Sequence, residues 1–349
     1  MRRLTVILLI SAVWCSVAVG RPEAVPAVAE DTDAAYFVGK RRIVATDHFT
    51  LMHDMRADEA EGIANVLEFA YSEFEACFEA YGFKMHAPEA ALEWMCFRKP
   101  ELLCDYALAT ENVDLSWLSG YYSSRTNRVA VVRPGRIRKW YGPGRQIAQV
   151  AAHVEDGIDA GLVKIVHEAG HQLAFNRGLQ RRGVMYPLWA TEGLALVFED
   201  CVSDYLPGGR YSEGRKKRLV ELYRQGKLIP LDEFAIMPRL SSEHSDVDVY
   251  AQAWGFFLFL CEHRNADLQD YFSYLYSLKS GARNAYHLRR EFIESFGAIG
   301  DLEREWSLFL ELAAASKPFL CGPCASTGEN SNNLASAHDK EAVVSASLR

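Results

Sequence analysis

Val166-His167-Glu168-Ala169-Gly170-His171-Gln172-Leu173 is the stretch on which the reading of this chain turns. Residues four apart on a helix lie one above the other on the same face, so His167 and His171 can each direct an imidazole nitrogen at a single ion. The flanking residues support a helix. Leu162, Val163, Ile165, Val166, Ala169, Leu173 and Ala174 form a broad apolar stripe, Asp159 is the candidate N-cap, and Gly178 ends the pattern. Glu168, beside the histidines, is the candidate general base, because its carboxylate can take a proton from a water on that ion. Two imidazoles and one carboxylate oxygen leave a fourth tetrahedral position open, a donor set that suits one Zn2+ per chain. The bland alternative is a pair of core histidines, each satisfied by a hydrogen bond.

The carboxylate is sought downstream. Pro187-Leu188-Trp189-Ala190-Thr191-Glu192-Gly193-Leu194-Ala195-Leu196-Val197-Phe198-Glu199 reads as an apolar helix opened by a proline, with Glu192 as its single interior carboxylate. The spacing from His171 lets one helix end, a loop from Arg177 to Tyr186 turn the chain, and a second helix return alongside the first. Glu192 then faces the histidines. An unpaired buried carboxylate is costly, and a metal would compensate it.

His167-Glu168-x-x-His171 followed by Trp189-x-x-Glu192-Gly193-x-Ala195 resembles the gluzincin metallopeptidases, the thermolysin and aminopeptidase-like clan. The likeness is nearest to secreted bacterial gluzincin-like proteins whose function is largely undescribed. It covers roughly residues 40 to 312 and is specific over 167–199. The resemblance implies zinc held by His167, His171 and Glu192, with Glu168 activating water for peptide-bond hydrolysis. It implies an α+β fold: a zincin-like catalytic domain of small mixed sheet and active-site helices over 41–205, then a mostly helical C-terminal domain over 206–315. It also implies a transition-state hydrogen-bond donor from the later domain, for which Tyr250 is the candidate and His244 the runner-up. The strand before the active-site helix, 128–132, could be the edge that takes a peptide backbone by strand addition, or a merely structural strand. Two departures stand out. Glu192 lies one residue further on than the thermolysin pattern, and Leu196 replaces the aspartate that would orient a histidine, so the histidines' partners stay unidentified. A metzincin needs Gly and His where this chain has Ala174 and Arg177, which excludes that branch.

The ends of the chain bear on location. Met1 to Gly20 has an Arg2-Arg3 start, an apolar run and a small-residue exit at Ala18-Val19-Gly20, the pattern of a secretory signal peptide. A retained anchor helix is the alternative; no later stretch qualifies as a membrane span. Residues 21–40 read as a flexible lead-in and 316–349 as a disordered, Ser- and Asn-rich tail. The chain of 349 residues is 49% hydrophobic, enough for a sizeable core. Its formal charge of −8 becomes more negative once Arg2 and Arg3 leave, which argues against a nucleic-acid partner. The basic clusters Lys40-Arg41-Arg42 and Arg215-Lys216-Lys217-Arg218 read as solvated surface.

Outside the leader, which holds Cys15, an odd number of cysteines remains, so at least one thiol stays unpaired in an oxidising compartment. Cys96 with Cys104, flanking a Lys99-Pro100 turn, is the first choice of pair. Cys321-Gly-Pro-Cys324 has redox-motif spacing but lies in the polar tail. An alternating strand is expected over 42–51, helices over 57–81, 212–226, 267–279, 283–296 and 301–314, a hairpin or a turn into a strand over 119–132, and a helix from about Asp248. His48 and His53 read as packing or surface residues; His153 reads as capping or packing the preceding helix, with a fourth-ligand role as its weaker alternative. The expected partner is a peptide or protein substrate. The rival reading is a catalytically silent zinc-containing binding or scaffold protein of the same fold, and a weaker third is a thiol-disulfide protein acting through Cys321 and Cys324.

Overall fold

The structure is a computed structural model and describes residues 36–37, 41–112, 119–133, 160–203, 211–281 and 283–315. The leader, Asp159, His153, the expected boundary at 205–206 and the tail with Cys321 and Cys324 lie outside those residues. The fold is α+β, a small mixed sheet followed by a helical C-terminal region.

Five strands form the sheet: β1 (Arg42–Ala45), β2 (Phe49–His53), β3 (Leu92–Phe97), β4 (Gly120–Ser123) and β5 (Arg128–Val132), in the order β1-β2-β3-β5-β4. The inner strands β2, β3 and β5 run parallel, and β1 and β4 close the two edges antiparallel. The stretch 42–51, expected as one strand, is two. Thr46 donates its N–H to Phe49 O and accepts from Phe49 N through Oγ1, which turns the chain between them. The hairpin at 119–132 forms, but 128–132 is not an edge: β5 lies between β3 and β4, and among the described residues the outer strand on that side is β4, itself buried.

Alternation along the strands supplies two faces. Leu51, Trp94, Cys96, Tyr122, Val129 and Val131 join one core, which α1 (Ala57–Ala80) and α3 (Ala160–Asn176) cover. Met52, Met95, Phe97, Tyr121 and Ala130 join the other, under α2 (Pro100–Glu111). Tyr36 and Phe37, at the end of the expected lead-in, pack there too: Phe37 stacks on Phe97 and Tyr36 meets Tyr106 edge-on. Lys99-Pro100 is not a turn between cysteines but the start of α2, with Pro100 where its missing N–H costs nothing.

That geometry overturns the Cys96–Cys104 pairing. Cys96 points to the α1/α3 face, whereas α2, which carries Cys104, lies on the opposite face; both remain thiols. The disulfide joins Cys77 of α1 to Cys201 of α4 (Leu188–Ser203), across a sequence separation of 124. It is a bond of the kind that persists in oxidising compartments.

The remaining helices are α5 (Tyr211–Arg224), the short α6 (Leu231–Phe234), α7 (Asp246–His263), α8 (Asn265–Ser277), α9 (Ala285–Phe296) and α10 (Ile299–Ala315). α7 is buried almost all round from Val249 to Cys261 and packs along α4. The first turn of α4 is anchored by Trp189, whose ring sits among Phe256, Phe257, Tyr271, Phe292 and Phe296 and whose Nε1 donates to Ala235 O. α4 is therefore a central helix, pressed by α3 on one side and α7 on the other. Among the described residues no helix is long and apolar enough to cross a membrane.

Candidate metal centre

α3 brings His167 and His171 onto one face, and their Nε2 atoms stand 3.1 Å apart. Glu192 of α4 reaches the same point, its Oε2 lying 3.3 Å from His167 Nε2 and 3.6 Å from His171 Nε2. All three side chains are buried. Ligands about 2.0–2.1 Å from a shared tetrahedral centre lie about 3.3 Å from one another, so these separations fit three atoms around one cation. A second observation agrees: Oε2 of Glu192 is buried and accepts no hydrogen bond. Buried polar atoms are normally satisfied, and a metal bond would satisfy this one.

The electrostatics point the same way. Burial by itself would lower the His167 imidazole, but the Glu192 and Glu199 carboxylates facing it hold it up at about 10. Burial would raise Glu192, but the nearby imidazoles of His171 and His167 hold it down to about 2. The site demands a positive charge between these groups; a proton supplies it in the metal-free protein, and a divalent cation fits the same demand.

Glu199 explains how His167 is aimed. Its Oε1 lies 2.7 Å from Nδ1 of His167. An ionised carboxylate only accepts, so Nδ1 carries a proton and Nε2 is the nitrogen that faces the centre, able to bind an ion once its own proton has left. Glu199 stands seven residues after Glu192, two helical turns along the same face, so the run that reads as having one interior carboxylate has two that converge on His167. Behind it, Arg215 of α5 donates to Glu199 Oε2 from Nη1 at 2.6 Å and from Nη2 at 2.8 Å. The basic cluster at 215–218 is thus not all solvated surface: Arg215 is turned inward, and Arg218 is held by Asp248 at 2.5 Å. In sequence a basic run looks the same whether its heads face water or buried acids.

Glu168 is fully buried at 0% exposure and meets Lys164, one turn earlier on α3, at 3.2 Å. Tyr250 of α7 is buried and lies within hydrogen-bonding reach of Glu192; burial and the charges of Glu192, Asp246 and Glu168 hold its hydroxyl well above its ordinary value, so it stays a donor. His244, the runner-up, is bonded instead to Glu233 at 2.9 Å near the surface, apart from the buried group. His48 pairs with Glu68, and His53 accepts from Met55 N.

The face of α3 away from the centre is pinned to the sheet. Gln172, next to His171, accepts from Trp94 Nε1 at 2.7 Å and donates to Asn127 O at 3.0 Å. Asn176 and Asn127 exchange amide hydrogen bonds at 2.7 and 2.9 Å, and Asn127 holds the left-handed turn between β4 and β5 at φ 60°. The helix is thereby fixed in rotation, which sets where both histidines point.

No curated protein matches this chain. A family model described as a protein of unknown function, DUF1570, matches residues 162–279, the span from the start of α3 past the end of α8 that contains His167, Glu168, His171, Glu192, Glu199, Arg215 and Tyr250.

Proposed function

We propose that this protein is a zinc-dependent peptidase of gluzincin type, working outside the cytoplasm. The observation that carries the reading is the convergence of His167, His171 and Glu192 at separations of 3.1 to 3.6 Å, with the Glu168 carboxylate on the adjacent position of the same helix. In this reading His167, His171 and Glu192 hold the ion, and Glu199 keeps His167 in the tautomer that presents Nε2. A zinc ion, when bound, supplies Lewis acidity, polarising a carbonyl and bringing the ionisation of a water near neutral pH. Glu168 takes the proton of the attacking water and returns it to the leaving amine. Tyr250 donates its hydroxyl hydrogen to the developing oxyanion. The disulfide between Cys77 and Cys201 supports the extracytoplasmic setting.

One observation favours the rival, a catalytically silent zinc protein: Lys164 occupies the Glu168 carboxylate at 3.2 Å, where a general base should be available to water. The two readings separate in one experiment. Zinc-loaded wild type and Glu168→Gln, at equal zinc content, are incubated with a diverse peptide library, alongside Lys164→Met. Cuts by wild type and none by Glu168→Gln support the peptidase. No cuts by wild type or by Lys164→Met support the silent protein, and cuts by Lys164→Met alone identify a peptidase held latent by that lysine.

A further inference from the structure

We infer that Arg215 is a positioning residue of the metal centre, acting on His167 through Glu199; the inference rests on the reading of His167 as a metal ligand. The geometry is a buried relay. Arg215 grips Glu199 Oε2 with both terminal nitrogens, at 2.6 and 2.8 Å, while the other oxygen of the same carboxylate holds His167 Nδ1 at 2.7 Å. The same guanidinium reaches Asp200 Oδ1 at 3.2 Å, and Trp254 Nε1 of α7 holds Asp200 Oδ2 at 2.5 Å. Arg215 is 15% exposed, and Glu199 and Asp200 are 5% and 6% exposed, so these contacts are shielded from water.

Glu199 needs this arrangement. With one oxygen on His167 and nothing on the other, a carboxylate can rotate about its last torsions, which are soft. The planar guanidinium removes that freedom, because its two donors converge on one oxygen from a fixed direction. The imidazole of His167 is then held in its plane, and Nε2 is aimed at the point where Glu192 and His171 also converge. The consequence for architecture is that α5, which contributes no ligand, controls the centre from the helical side.

The experiment is zinc affinity of the full chain, measured by competition with a chromophoric chelator. It compares wild type, Arg215→Met, Arg215→Lys, Glu199→Gln and the double variant Arg215→Met/Glu199→Gln, with Arg218→Met as a same-helix, same-charge control. Loss of an outer partner of a liganding histidine costs about 10- to 100-fold in metal affinity, so Arg215→Met is expected to weaken binding about tenfold or more. Arg215→Lys, a point charge without the fork, recovers part of that loss. In the Glu199→Gln background Arg215→Met adds nothing, because its route to the metal is already cut. Arg218→Met leaves affinity unchanged.

Wild-type affinity in Arg215→Met overturns the inference. So does a loss that adds fully to that of Glu199→Gln, or an equal loss in Arg218→Met, since either makes Arg215 an ordinary structural residue. Where Arg215→Met does not fold, Arg215→Lys alone and in the Glu199→Gln background carries the same comparison. A wild type that binds no zinc overturns the metal centre itself, and this is seen before any variant is compared.

Discussion

Gly193 lies against Ala253 so closely that a β-carbon on it would stand 2.6 Å from the Ala253 carbonyl oxygen and 2.6 Å from Phe257 Cβ. Backbone this near cannot step aside as a flexible side chain does. Gly193 therefore sets the spacing of α4 and α7 at the residue next to Glu192. Gly193→Ala is expected to cost about 1–3 kcal/mol through overpacking, and to weaken zinc binding by moving Glu192. Denaturant unfolding with and without zinc checks it; wild-type stability in the variant would contradict this packing.

A second expectation concerns protons. His167 is held up at about 10 in the metal-free protein, so zinc must displace a proton to bind at neutral pH. Apparent zinc affinity should therefore rise with pH, by about tenfold per unit below that value. Stability follows with its own sign. The folded value lies above the ordinary 6.5, so the stabilisation from charged His167 is complete below about 6.5 and is lost as pH rises through about 10. Metal-free protein should lose Tm between pH 7 and 10, and zinc-loaded protein should not lose it for this reason. A pH-independent zinc affinity would contradict the assignment.

The three ligands of this centre are legible in the sequence, and the residues behind them are not. His167, His171 and Glu192 announce themselves because helical periodicity and an isolated interior carboxylate are local signals. Glu199 is not singled out by the sequence, since at the end of an apolar run a carboxylate looks like a helix terminus. Arg215 was hidden in a basic cluster, and only the placement of α5 against α4 distinguishes it from Lys216 and Lys217. The sheet shows the same limit. The β4–β5 hairpin is readable from its turn, but which of its strands forms the edge depends on β5 pairing with β3, a contact between distant residues.

Disulfide choice failed for a related reason. Cys96 and Cys104 are near in sequence, yet strand alternation sends one of them to the face opposite α2, whereas Cys77 and Cys201 meet only when α1 and α4 pack. Closing a loop of this length constrains the unfolded chain, and replacing both cysteines with alanine is expected to cost about 2–5 kcal/mol. Peptide mapping under non-reducing conditions should recover the Cys77–Cys201 pair. Buried Cys96 and Cys261 should resist alkylation until the protein is unfolded.

Gln172 carries a prediction of its own. Its side chain satisfies the buried indole N–H of Trp94 at 2.7 Å while fixing α3 to the β4–β5 turn. Gln172→Leu leaves that donor unpaired and should cost about 1–3 kcal/mol. Since the residue adjoins His171, zinc affinity should fall as well. Thermal unfolding followed with and without zinc reads both effects.

The most direct test of the central claim is X-ray absorption at the zinc edge of the purified, zinc-loaded chain. Coordination by His167, His171 and Glu192 predicts one zinc per chain with nitrogen and oxygen scatterers at about 2.0–2.1 Å, imidazole outer-shell features from two rings, and no sulfur. Changing Glu192 to Gln should alter that spectrum or empty the site. A sulfur shell at about 2.3 Å would assign the metal to the cysteines instead, and a chain that retains no zinc would contradict the account outright.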